Sequence, residues 1–308
     1  MNEATFDRFL GCLLGQAVGD AVGAAYEGLT ADHIYWHFGP ACDLVKNPDD
    51  DPLFYTDDTQ MMIGVAETLI AHGEIDESAL CQAFVANYEP QRGYGQGARR
   101  VIEAMADQED WRTLTATLFP GGSLGNGAAM RAAPIGLVFC HDLDRVAEEA
   151  RLSALPTHVH PIGIEGAQLL ALAVALVVRS ATFDRAEFYR ELLARCQDEE
   201  FRWQLQAARK LRGQHSLSFL GNSLEAHRSV VTAIACFTAA PDDYEAVIAR
   251  AIALGNDTDT LAAMAGALAG AHLGSAAIPV PLLDKLENGA KGRDYIATLA
   301  AKLHERLR

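Results

Sequence analysis

Glycine recurs at every fourth position near both ends of the 308-residue chain: Gly11, Gly15, Gly19 and Gly23 in one run, Gly266, Gly270 and Gly274 in the other. No other feature restricts the fold so tightly. Residues i and i+4 share a face of an α-helix, so each run makes a ridge without side chains. Glycine inside a helix costs about 1 kcal/mol relative to alanine. The cost is offset where a second backbone must approach closely. In a bilayer this spacing pairs membrane helices; here it predicts tight central packing, with the two runs as candidates to lie on each other. Such a pairing would bring residues 20–27 towards residues 257–260.

Helical periodicity dominates the rest. Asp57 to Ala71 puts Met61, Met62, Val65, Leu69 and Ile70 on one stripe. Similar runs cover roughly 5–24, 76–88, 95–107, 127–140, 161–179, 183–212, 226–238, 243–253 and 258–273. Strand-like alternation is nearly absent, and no Pro/Gly/Ser linker divides the chain, so one all-α domain over residues 1–308 is expected. Half of the residues are hydrophobic, ample for a core. The apolar run Ala167 to Val178 is too short to span a bilayer and the run from Leu261 is Ala/Gly-rich, so both read as buried helices and no membrane partner is expected.

Acidic side chains outnumber basic ones by 41 to 25, a net charge of −16. That balance argues against a nucleic-acid partner, whose binding rests on Lys and Arg contacts to phosphate. A site for an anion would need backbone donors or cations. Six cysteines stand singly (Cys12, Cys42, Cys81, Cys140, Cys196 and Cys236), which fits reduced thiols and a cytoplasmic protein. MNEATFDRFLG has no basic n-region, so no secretory signal is expected.

Two Asp/Thr tracts open predicted helices about two hundred residues apart. Tyr55 to Met62 reads YTDDTQMM, and Asn256 to Thr260 reads NDTDT. Asp and Thr are favoured N-caps, and Asp57 with Gln60 has the spacing of a capping box. A cap needs one side chain, however, and each tract supplies several. Neighbouring carboxylates repel, and the helix dipole offsets only ~0.3–1 kcal/mol per charge. A bound cation is the natural remedy. Carboxylate and hydroxyl donors without His or Cys suit a hard ion, Mg²⁺, Mn²⁺ or Ca²⁺, rather than Zn²⁺. Asp257 and Asp259 would face opposite sides of a regular helix, so gripping one ion requires the entry loop, where Gly255 gives the backbone freedom. Two such clusters could form a two-metal centre.

The glycine-rich stretches GGSLGNGAAMR (Gly121 to Arg131) and RGYGQGARR (Arg92 to Arg100) each run into a helical segment. Loops of this kind present backbone N–H groups to anions, and they also simply permit turns. THVHP (Thr157 to Pro161) sets two histidines before an apolar helix, where a histidine is as readily structural as functional. NPDDDP (Asn47 to Pro52) reads as a solvated loop, since the spacing and closing glutamate of a calcium loop are missing.

Taken in order, GxxxGDxxG followed by YEG, YTDDTQM, GSLGNGAAMR, THxHP and LGNDTDTLAAMAGALAGAHLG resemble the ADP-ribosylglycohydrolase family, over residues 10 to 274. The resemblance implies a single many-helix orthogonal bundle with a binuclear Mg²⁺ centre at the bottom of an ADP-ribose cleft. It implies metal ligands at Thr56, Asp57, Asp58, Asp257, Asp259 and Thr260, with Glu27 beside the metals as the catalytic carboxylate. Gly93, Gly95 and Gly97 would lie against the ribose and phosphates. Ser123, Gly125, Asn126 and Gly127 would form the diphosphate loop, with His158 contacting phosphate. Tyr26-Glu27, LGNS (Leu220 to Ser223) and LGNDTDT look most like the branch acting on serine-linked ADP-ribose, poly(ADP-ribose) and O-acetyl-ADP-ribose. One position departs: Leu124 stands where that branch often carries an aromatic residue, removing a ring for adenine stacking and leaving serine- and arginine-linked ADP-ribose both open as substrates. The expected activity is hydrolysis at the anomeric carbon. Two other readings of the same residues are a two-metal phosphohydrolase acting on the diphosphate and a binding module without catalysis.

Overall fold

The computed structural model describes residues 4–46, 51–211 and 217–307. Residues 47–50 of the acidic run NPDDDP lie outside them. The α-helices are α1 (Phe6–Ala24), α2 (Ala31–Phe38), α3 (Ala41–Lys46), α4 (Asp57–His72), α5 (Glu77–Asn87), α6 (Gln96–Ala106), α7 (Trp111–Thr117), α8 (Ala133–Val138) and α9 (Leu143–Ala154). They continue as α10 (Pro161–Val178), α11 (Arg185–Arg195), α12 (Glu199–Lys210), α13 (Ala226–Ala239), α14 (Tyr244–Ile252), α15 (Thr258–Leu273), α16 (Val280–Lys285) and α17 (Arg293–Glu305). No strand occurs among the described residues; the β-type pairing there is confined to isolated bridges such as Thr30 with Gly255 and Gly125 with Glu225.

The glycine ridges meet. Gly11 faces Gly270, Gly15 faces Gly266, Gly19 faces Ala262 and Gly23 faces Thr258. Each step of four along α1 is matched by a step of four backwards along α15, so the two helices run antiparallel. A Cβ added to any of Gly11, Gly15, Gly19, Gly23, Gly266 or Gly270 would fall under 3.0 Å from the opposing backbone, closer than real Cβ atoms come. Two side chains seal the seam: Thr258 Oγ1 donates to Gly23 O at 2.8 Å and the Tyr244 hydroxyl to Gly15 O at 2.7 Å. Gly274 does not extend the ridge as a helical residue. Its φ of +82° ends α15, in the left-handed region glycine tolerates best.

Around this pair α10, α13, α14 and α17 pack as further core helices. α10 is long and apolar enough to cross a bilayer by composition, but 78% of it is buried inside the protein. Here the structure agrees with a buried helix.

Several expected helices break. The run 127–140 is a 3₁₀ turn at Asn126–Ala128 followed by α8, with Pro134 in its first turn. The run 183–212 splits into α11 and α12 because Glu165 accepts from the backbone N–H groups of Gln197 (2.6 Å) and Asp198 (2.8 Å), and Asp198 then caps α12. The capping box at Asp57 does not form. Thr56 is the N-cap, Asp57 is the first helical residue, and Gln60 instead accepts from Glu89 N and the Tyr94 hydroxyl.

Candidate active site

Because α1 and α15 are antiparallel, the C-terminal end of one lies beside the N-terminal start of the other. Past α1, the chain carrying Glu27 is fastened to the entry loop of α15: Gly28 N donates to Asn256 O (2.7 Å) and Asn256 N to Leu29 O (2.6 Å). Gly255 (φ +71°) allows this approach, since a Cβ there would meet Ala31 N at 2.5 Å. Asn256 also adopts a left-handed φ of +57°. Asn222, from the LGNS segment, clamps the same turn by donating to the carbonyls of Leu254 and Gly255 and accepting from Asn256 Nδ2.

The first acidic tract, Tyr55 to Met62, is aimed from inside α1 by a residue that sequence reasoning left without a role. Asp20 is fully buried and accepts from Thr56 N (3.1 Å), Thr56 Oγ1 (2.8 Å), Thr59 N (3.0 Å) and Thr59 Oγ1 (2.5 Å). It pins the start of α4 to the seam. Burial raises its pKa to about 6 against the lowering effect of those hydrogen bonds. The signal was present in the sequence: a lone carboxylate between Gly19 and Gly23 on the ridge helix.

The two tracts converge. Asp58 Oδ2 accepts from Thr260 Oγ1 (3.4 Å) and lies 3.3 Å from Thr56 Oγ1, whose one proton goes to Asp20, so the starts of α4 and α15 meet at one carboxylate. Its other oxygen, Oδ1, is buried with no hydrogen-bond partner. Asp257 occupies the N-cap position of α15 but makes no capping bond; its Oδ2 accepts from Asn126 Nδ2 at 2.6 Å. The capping reading thus fails for the carboxylates of Asp58 and Asp257. Burial is the main cause that raises Asp57 to about 8 and Asp259 to about 9, with neighbouring carboxylates adding to it. Asp58 is raised for the same reasons. Asp257 is raised by burial, opposed by the Asn126 hydrogen bond. Glu27 stands exposed at the rim, raised by partial burial and then by Asp257.

Among the described residues, no three His, Cys, Asp or Glu side chains stand close enough together to hold an ion as they are. The hydroxyls of Thr56 and Thr260 complete the set that does converge, at Asp58. An all-oxygen donor set, an orphaned buried carboxylate oxygen and mutually repelling acids fit a hard divalent cation.

These groups form the floor of a pocket of about 590 Å³, within the range of small-molecule sites. Fourteen of the fifteen expected site residues line it: Glu27, Asp57, Asp58, Gly93, Gly95, Gly97, Ser123, Gly125, Asn126, Gly127, His158, Asp257, Asp259 and Thr260. Thr56 lies just behind, in an adjoining depression it shares with Gly93. One wall is the start of α6, whose N-cap Gly95 supplies no side-chain cap to the first-turn N–H groups of Gln96, Gly97 and Ala98, residues that all line the pocket. The opposite wall is the 122–127 loop, held by Asn126 N to Leu224 O (2.9 Å) and Ala226 N to Leu124 O (3.0 Å). Phe119 also lines the pocket, 41% exposed, seated on Gly97, where a Cβ would come within 2.7 Å of its ring. This aromatic platform went unnoticed in the sequence, although it stands immediately before PGGSLGNG.

Comparison with known proteins agrees with this architecture. The family model described as ADP-ribosylglycohydrolase matches residues 1–308. ADP-ribosylhydrolase ARH3 of Danio rerio is 33% identical, across 97% of this chain and 90% of the relative; that of Homo sapiens is 32% identical, across 97% and 93%. The ADP-ribosyl-[dinitrogen reductase] glycohydrolase of Rhodospirillum rubrum is 29% identical, across 93% and 92%. A solved structure titled ADP-ribosylglycohydrolase-related protein complex superposes with a TM-score of 0.78 at 27% identity, covering 98% of this chain and 99% of that one. With its whole length matched and its helical architecture shared, the chain belongs to the ADP-ribosylglycohydrolase family.

Proposed function

We propose that this glycohydrolase cleaves the bond between the anomeric carbon of the distal ribose of ADP-ribose and its acceptor, releasing free ADP-ribose, and that it requires two Mg²⁺ ions, with Mn²⁺ as a substitute. The observation that carries the reading is the shared carboxylate of Asp58, where the two helix starts meet at the floor of a pocket walled by backbone donors. Thr56, Asp57, Asp58, Asp257, Asp259 and Thr260 would hold the ions, which supply charge neutralisation and a Lewis-acid anchor for ribose oxygens.

The chain's own residues account for the rest. The start of α6 and, in the 122–127 loop, the N–H groups of Ser123, Leu124 and Gly127, which among the described residues are not used in holding the loop, would offer donors to a diphosphate, the neutral donors that a chain of net charge −16 needs. Asp20 holds the start of α4 in register, and Asn126 orients Asp257. Glu27 is the proton carrier. It sits at the rim, where a leaving group departs, and its raised pKa favours carrying a proton. In the cleavage the bond from C1 to the acceptor breaks, water forms the new C1–O bond, and Glu27 moves the proton from water to the departing atom. The oxocarbenium-like character of such a step favours neighbouring negative charge.

Oxygen-linked ADP-ribose, as in serine O-glycosides and O-acetyl-ADP-ribose, is the preferred class. Its support is the Tyr26-Glu27 and LGNS segments, which resemble the branch acting on serine-linked and O-acetyl-ADP-ribose. The test is product analysis with Mg²⁺ on serine-, arginine- and O-acetyl-linked ADP-ribose, beside Asp257→Ala. Free ADP-ribose from the oxygen-linked substrates, lost in the variant, is expected. AMP plus ribose phosphate, or full activity in Asp257→Ala, would refute it.

A further inference from the structure

Arg131, the last residue of GGSLGNGAAMR, is fully buried, yet no carboxylate pairs with it among the described residues. Its guanidinium donates to Ser153 O (2.7 Å), Gly127 O (3.2 Å), Thr157 Oγ1 (2.9 Å) and Met61 Sδ (3.8 Å), and lies over the Phe84 ring. Burying a cation without a counter-charge is expensive, so its placement calls for a role. Two of its contacts lead to the pocket. Gly127 belongs to the glycine loop. Thr157 Oγ1 lies 2.7 Å from His158 Nδ1, and His158 lines the pocket.

The proton arrangement in this chain follows from donor counting. Arginine only donates, so Thr157 Oγ1 accepts from Arg131. The threonine hydroxyl then has one proton to place, and His158 Nδ1 is its acceptor within reach. Were Nδ1 protonated instead, the buried hydroxyl proton would be left unpaired. Nδ1 therefore accepts, and Nε2 carries the imidazole proton. Burial and the charge of Arg131 keep the ring neutral, its pKa lowered to about 3. The Nε2 edge faces the glycine loop: a Cβ on Gly127 would lie 3.5 Å from Nε2 and one on Gly125 3.6 Å from it.

We infer that Arg131 is a positioning residue, which through Thr157 fixes His158 as the Nε2–H tautomer and through Gly127 braces the loop, so that side-chain and backbone donors converge on one phosphate. This rests on the reading of the pocket as an ADP-ribose site. It explains why an uncompensated cation lies beneath the loop: it sets the tautomer and adds positive potential where an anion docks.

The test combines long-range ¹H–¹⁵N spectra of His158 in the unliganded protein with calorimetric titration of ADP-ribose, in wild type, Thr157→Val and Thr157→Ser. The expected wild-type spectrum shows bare Nδ1 and protonated Nε2. Thr157→Val should lose that single tautomer and bind ADP-ribose roughly tenfold more weakly, while Thr157→Ser restores both. A wild-type ring protonated on Nδ1, or a folded Thr157→Val with unchanged spectrum or unchanged affinity, would overturn the inference. If Thr157→Val does not fold, the wild-type spectrum decides alone. An Nε2–H ring in a wild type with no affinity for ADP-ribose would instead overturn the substrate reading and leave the relay standing.

Discussion

The seam between α1 and α15 and the glycine loops around the pocket use the same residue for opposite ends. In the seam, glycine removes side chains so that two backbones touch, and side chains such as Thr258 and Tyr244 are spent on sealing it. In the loops, glycine keeps side chains out of the pocket so that a ligand can approach the backbone. The first region fixes where the carboxylates stand; the second decides what can be held against them. Rigidity and recognition are therefore separable, and substitutions should fall into two classes with different readouts.

The largest effect should come from the seam. Gly270→Leu would drive a side chain into the backbone of Gly11 and Cys12, with no flexible group to yield. A loss of more than ~3 kcal/mol of stability is expected, checked by chemical denaturation; a variant within 1 kcal/mol of wild type, by the ~1 kcal/mol helix gain of replacing glycine, would break the comparison. Asp20→Asn tests the join between the regions. The amide would turn an NH₂ towards donors on Thr56 or Thr59, costing about 1–3 kcal/mol, and metal-dependent turnover should fall further than stability alone explains.

The carboxylates predict a pH dependence with a definite sign. Asp57 and Asp259 are raised from 3.8 to about 8 and about 9 in the folded protein. Groups raised in this way hold protons that the unfolded chain releases, so their stabilisation is full below pH 3.8 and is lost as pH rises through about 8 to 9. Metal-free protein should thus melt at progressively lower temperature across that window. Under the proposed function Mg²⁺ would bind the deprotonated groups, so its stabilisation should grow with pH, reaching about 2.7 kcal/mol at a hundredfold excess over Kd. An Mg²⁺ shift independent of pH would contradict this. The smallest change belongs to the recognition wall: Phe119→Ala should weaken ADP-ribose binding by about 1–2 kcal/mol through lost base stacking, leave the melting temperature near wild type, and spare the affinity for Mg²⁺.

Much of this was legible in the sequence, for identifiable reasons. A four-residue glycine period has few physical explanations, so the pairing of residues 11–23 with 258–270 could be anticipated before any coordinates. Helices with full apolar periodicity, such as α4, α10 and α15, were anticipated to within one or two residues. Short or surface helices such as α2, α3, α7 and α16 were missed because six to eight residues carry too little periodicity. The breaks in 127–140 and 183–212 depended on tertiary bonds, notably Glu165 to the 197–198 backbone, that no local pattern reveals. Asp20, Asn222 and Arg131 stand inside the quoted motifs but carried no assigned role, for a related reason: each acts by orienting another group, and their partners lie 22 to 39 residues away or more in most of their contacts.

In the proposed function the seam delivers two acidic helix starts to one binuclear cation site. Its most direct test is Mn²⁺ binding followed by equilibrium dialysis and electron paramagnetic resonance, in wild type and Asp58→Ala. Two Mn²⁺ per chain with a spin-coupled signal are expected, with loss of the coupling in the variant. One uncoupled ion per chain, or a coupled pair that survives the removal of Asp58, would contradict it.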